Sequence, residues 1–184
     1  MSTELPESDQ VKLWKVMYAW RSFHHVSLTC DFILESGISE DHPIYYPLLA
    51  AIHVLYSRPF KRSNIVGKIT EDIIPKEYNN LHKALIGLRD QVVAHLDADG
   101  PHLGDNPANH VRFVVHPNRS VDIGLSELKG RVPNVKRIQQ LMEILTKKML
   151  YHRDRICDRH KRDFLQGPGE YMLNLPGPEF VRKK

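Results

Sequence analysis

Apolar positions recur at helical spacing in four stretches of the chain and alternate in one. In residues 10–34, Val11, Trp14, Met17 or Tyr18, Arg21, Val26 and Ile33 follow a helical step loosely. Ser8 or Asp9 stands where an N-cap belongs, and Ser36-Gly37 ends the pattern. A second helix is predicted from near Pro43, a residue tolerated in a first turn, through Tyr46, Leu49, Ala50, His53 and Val54 to just before Pro59. The third pattern is the clearest. Pro75 suits its first turn, and Tyr78, Leu81, Leu85, Leu88, Val92 and His95 return at steps of three and four until Gly100-Pro101 breaks it.

Residues 101–108 read as a loop. Val111, Phe113 and Val115 then alternate, Pro117-Asn118-Arg119 signals a turn, and Val121, Ile123 and Leu125 follow. The pattern predicts a hairpin of 111–115 with 120–124. A fourth helix is predicted from about 132 to 164, with Val135, Ile138, Leu141, Met142, Leu145, Met149 and Ile156 on its apolar face. Beyond Gln166 the chain is rich in Gly and Pro. The expected architecture is mainly α: an antiparallel four-helix bundle with a short β-hairpin insert, spanning 1–165, and a tail at 166–184.

Composition adds limits rather than identity. The 184 residues fit one domain able to bury a sizeable core. The longest apolar stretch, 47–55, is far short of the roughly 20 residues a membrane helix needs. The polar, acidic first nine residues do not read as a secretory signal. Two cysteines, Cys30 and Cys157, both within helical patterns, suit reduced thiols in a soluble cytoplasmic protein with no membrane association. The net charge is only +4, but between 129 and 162 Lys and Arg far outnumber Glu143, Asp154 and Asp158. That basic stretch suits either a phosphate backbone or a solvated face paired with acids elsewhere.

The histidine count of 11 invites a search for metal sites, without result. His24 and His25 point to different helix faces, His110 and His116 lack further partners, and Cys157 with His160 supplies only half a zinc site. No metal and no cofactor is expected. There is no phosphate-binding glycine loop and no Gly-x-Ser-x-Gly elbow.

The third helix is where chemistry concentrates. His95 occupies a position where its apolar stripe predicts a hydrophobe, and Arg89 and Asp90 precede it. Six residues of helix give a rise of about 9 Å and a turn of about 120°, within reach of the long Arg89 side chain. A guanidinium grips a phosphate at two points, and an imidazole moves a proton near neutral pH. RNA carries its own nucleophile in the 2′-hydroxyl. The competing reading makes His95 a packing or capping residue and Arg89 a surface ion-pair partner.

The run Leu88-Arg89-Asp90-Gln91-Val92-Val93-Ala94-His95-Leu96-Asp97 resembles the signature of the HEPN superfamily: an arginine, a polar neighbour, and a histidine a few positions on. Together with Ser57-Arg58-Pro59-Phe60 and His82 it is similar to uncharacterised HEPN-like proteins related to phage abortive infection. The likeness covers about residues 48–99 and the four-helix plan; the hairpin departs from the simplest members. The resemblance implies a bundle that forms a homodimer and acts as a metal-independent endoribonuclease, a toxin or phage-defence effector with RNA as substrate and an antitoxin or regulatory protein as partner. Arg89 would hold the scissile phosphate, His95 would act as general acid or base, and Asp90 would orient them. A two-fold axis would bring two such pairs to one cleft.

Four further residues have two readings each. Arg58 either contacts substrate or caps the carbonyls at the end of the second helix. His82, one heptad before Arg89, either lines the same cleft and binds substrate or is simply exposed. Trp14 and Trp20 are better suited to packing than to stacking on bases. The alternative function is a non-catalytic helical module that uses the basic fourth helix to bind nucleic acid or a protein.

Overall fold

The computed structural model describes residues 7–62, 67–89, 111–125 and 134–160. Among these the chain is mainly helical: α1 (Glu7–Glu35), α2 (Tyr45–Ser57), α3 (Asn79–Leu88) and α4 (Val135–Arg159), with strands β1 (Val111–Val115) and β2 (Val121–Leu125). None of these helices is long and apolar enough to cross a membrane. The tail at 166–184 lies outside the described residues.

α1 is the element the others share. It packs on α4 along its length and on α2. Gln139 of α4 donates to the Asp31 carboxylate, and His160, just past α4, meets Asp9 at 2.7 Å. These contacts at opposite ends make the two helices antiparallel. α2 returns along α1 after a short connection, with Tyr56 and Phe60 against Phe23. α3 meets α2 in reverse order, His82 against Tyr56 and Leu85 against His53.

The core lies between these helices. Ala19, Phe23, Val26, Cys30 and Ile33 form the buried seam of α1, and they meet Leu49, Ile52 and Tyr56 of α2 and Leu85 of α3. The buried residues of α4 are the seven that its periodicity picks out, Val135 through Ile156. The α1 seam differs from the expected one. Trp14, Met17 and Tyr18 are not in it, because the seam runs through Ala19 and Cys30, small residues that let helices approach closely.

Local chemistry explains the ends. The Asn134 side chain accepts from the Arg137 N–H at 3.2 Å and caps α4. Pro47 sits in the first turn of α2, where its missing N–H costs no helical bond. Helix formation before α3 begins as a 3-10 turn, Lys76–Tyr78, rather than at Pro75. β1 and β2 pair in antiparallel register, Val111 opposite Leu125 and Val115 opposite Val121, one residue later in the second strand than expected. Asn118 Oδ1 accepts from the Ser120 N–H and hydroxyl, and Arg119 takes a positive φ of 64° to close the turn.

Candidate phosphate-binding site

The seam of α1 changes character toward its N-terminus. Stepping back from Ala19 by four and then three residues gives Lys15 and Lys12 instead of hydrophobes. Where the core would continue, the fold opens into a cavity of about 400 Å³ between α1, the end of α2 and the start of the connector that follows. Lys15, Arg58, Lys61, Arg62 and Arg89 line it, and no carboxylate does among the described residues. Trp14 and Tyr18 form its aromatic wall, their rings 5.3 Å apart and within 4° of parallel.

Each cation is there for a local reason. Pro59 follows Arg58, so α2 stops and tightens into the 3-10 turn Arg58–Phe60, which brings Arg58, Lys61 and Arg62 to one mouth. The Ile69 N–H donates to Pro59 O at 2.8 Å and ties the connector back on that mouth. Gly67 adopts a φ of +69° with Lys15 Nζ beside it, a backbone conformation that a side chain there would strain. Arg89 continues α3 with helical dihedrals, and its N–H bonds back to Leu85 and Ile86 carbonyls.

Lys15, Arg58 and Arg62 form no ion pair among the described residues. Like charges gathered at one opening repel one another, and an anion in the cavity relieves that cost. Two parallel aromatic rings beside them suit a flat ring of a nucleic acid base.

His82 corrects one expectation. Its side chain is not on the cavity but in the core, 4% exposed, with Tyr56 and Phe60 packed edge-on to it. α2 and its terminal turn cover the first turns of α3, whereas Arg89 at the far end has the reach to emerge. The Tyr56 hydroxyl meets His82 Nδ1 at 2.7 Å, and His82 Nε2 lies 3.5 Å from the Glu71 carboxylate. With the proton on Nε2, the hydroxyl donates to Nδ1. Burial lowers the His82 pKa below its usual 6.5, against the opposing pull of Glu71. His53 is also buried, and burial lowers its pKa too; its Nδ1–H donates to Leu85 O at 3.2 Å. Both rings fasten α3 to α2, so they hold Arg89 in position without touching the cavity.

Arg58 lines the cavity and is exposed where α2 ends, and among the described residues its side chain caps no carbonyl. Trp20 packs against the core and stacks on His24 at 5.3 Å, while Trp14 belongs to the cavity wall. Asp90 and His95 lie outside the described residues. Lys15, Lys61 and Arg62 are cavity residues that periodicity did not single out; the signal available was Lys12 and Lys15 on the extension of an apolar seam. The two cysteines are free thiols, and burial pushes Cys30 up to about 12, so it is inert at neutral pH. Among the described residues no three His, Cys, Asp or Glu side chains gather as metal ligands would.

No family model, curated protein or solved structure matches this chain.

Proposed function

We propose that this protein is a HEPN-type, metal-independent endoribonuclease that seats an RNA phosphodiester in the cavity beside Arg89. The observation that carries the reading is that cavity: Lys15, Arg58, Lys61, Arg62 and Arg89 line it, next to two stacked aromatic rings, and Arg89 is the arginine of the Arg-x5-His motif. In this reading Arg89 holds the scissile phosphate and stabilises its developing charge. His95 takes the 2′-hydroxyl proton or gives one to the departing 5′-oxygen, and Asp90 orients the pair. The 2′-oxygen–phosphorus bond forms as the 5′-oxygen–phosphorus bond breaks, leaving a cyclic phosphate and a 5′-hydroxyl.

The rest of the proposal follows the resemblance. The helices complete an antiparallel four-helix bundle, two copies pair about an axis that doubles the site, and the protein acts in the cytoplasm as a toxin or phage-defence effector under an antitoxin or regulatory protein. The alternation of helix directions supports the bundle plan. Cleavage of labelled RNA by purified protein tests the activity. Arg89→Ala and His95→Ala are each expected to lower the rate by about 10²-fold or more, with far-UV circular dichroism unchanged and chelators without effect. RNA that is bound but never cut by the unmodified protein would leave the non-catalytic module, which the same cavity serves without His95.

A further inference from the structure

A second basic groove lies on the neighbouring side of α1. Lys12 and Val16 of α1 form it with His152, Arg155, Ile156 and Arg159 of α4, and its volume is about 350 Å³. The two openings are joined by one short piece of helix. Lys12 lines the second groove, Lys15 lines the first cavity, and the two are about a single turn apart on α1.

The charge along this bridge is arranged for a polyanion. Asp9, which contacts two of the groove's cations, is engaged three ways: His160 meets it at 2.7 Å, Lys12 at 3.3 Å and Arg159 at 3.6 Å. The hydrogen bond from His160 is the main reason its carboxyl sits below the usual carboxylate range, with burial opposing. Arg155 lies over the Tyr151 ring at 5.9 Å, an arrangement that leaves its guanidinium edge available. The Trp14–Tyr18 stack stands on the cavity side of the bridge, with Tyr18 37% exposed.

We infer that residues Lys12–Tyr18 of α1 carry one continuous single-stranded polynucleotide from the cavity by Arg89 to the groove at Arg155 and Arg159, with a base stacked on the Trp14–Tyr18 pair. Alternating cations and aromatic faces suit a strand whose bases are free to turn out; a duplex keeps its bases stacked inside. The inference rests on the cavity being a phosphate site, but it does not require that the strand be cut there.

The test is length dependence of binding by the full chain. Fluorescent oligouridines of about four and about sixteen nucleotides are titrated at several salt concentrations, using His95→Ala protein so that cleavage does not intervene. Arg155→Gln with Arg159→Gln is expected to weaken binding of the long strand about tenfold or more and to lower the magnitude of its salt slope by about 1.4, the share of two phosphate contacts. The short strand is expected to bind as before. Lys136→Gln with Lys147→Gln, equal in charge but on exposed parts of α4 away from the groove, is expected to change neither. Equal weakening by both pairs, or no preference for the long strand, would overturn the track. Absence of cleavage by the unmodified protein would overturn the nuclease and leave the track standing.

Discussion

The two halves of α1 follow one helical repeat and do opposite things with it. From Ala19 to Ile33 the repeat carries Phe23, Val26 and Cys30 into a sealed core with no exposed surface. From Lys12 to Val16 the same face places Lys15 on a cavity walled by arginines and Lys12 on the groove beside α4, with Val16 packed against the core. The difference is not in helix geometry, which is continuous over Glu7–Glu35. It lies in what is offered to the neighbouring helices. Apolar side chains draw α2 and α4 onto α1, while Lys15 faces an opening instead. A helix can therefore end a core and begin an open cationic cavity without a loop between them, simply by changing residue type along one seam.

The largest expected separation between the halves is in stability. Phe23→Ala removes a fully buried ring that meets Tyr56 and Phe60, and is expected to cost about 3–5 kcal/mol. Lys15→Ala, one turn before Ala19, is expected to stay within about 0.5 kcal/mol in the same denaturant titration while weakening oligonucleotide binding. Similar costs for the two would dissolve the contrast.

The next effect concerns what holds Arg89 in place. His82→Ala leaves the Tyr56 hydroxyl, inside the core, without its partner and opens space beside Phe60. An expected loss of about 1–3 kcal/mol would appear as a lower denaturation midpoint. If His82 bound substrate instead, the midpoint would hold and only binding would suffer.

The smallest effect is on pH. His53 and His82 both have folded pKa values lowered by burial below 6.5. Below that value the unfolded chain takes up protons that the folded chain resists, so stability falls as pH drops through 6.5 and levels off below the folded values. Asp9 acts lower down. Its pKa is depressed below 3.8, so its contribution is present above that value and is lost as pH falls through the depressed one. Thermal midpoints between neutral pH and pH 5 should therefore decline, and His82→Gln should flatten the decline. A midpoint unchanged across that interval would show that neither ring resists protonation.

What the sequence made legible was periodicity that one neighbour reads. The α4 stripe is strict because a single face packs against α1 along its whole length, and its seven buried residues are those the spacing picks out. The hairpin was legible for a similar reason, strict alternation around a turn, with the second strand displaced by one residue because the loop extends through Ser120. The α1 seam was misread. Trp14, Met17 and Tyr18 are large enough to suggest a core, but Trp14 and Tyr18 line the opening and Met17 lies outside the buried seam, while Ala19 and Cys30, which bury completely, are small. His82 was misplaced because a shared helix face does not fix depth: α2 covers one end of α3 and leaves the other uncovered. The cavity itself draws on α1, α2 and the connector near Gly67, segments far apart in sequence. Only Arg58 and Arg89 among its cations stood out beforehand, because a proline and a motif marked them.

The central claim is that a phosphodiester sits against Arg89 and is broken there by its own 2′-hydroxyl. A DNA oligonucleotide carrying a single ribonucleotide, incubated with the purified protein in chelator, tests it most directly. The account predicts one cut, on the 3′ side of that ribonucleotide, made by the unmodified protein and lost in Arg89→Ala. Cutting by Arg89→Ala at the unmodified rate, or an intact strand after prolonged incubation with the unmodified protein, would contradict it.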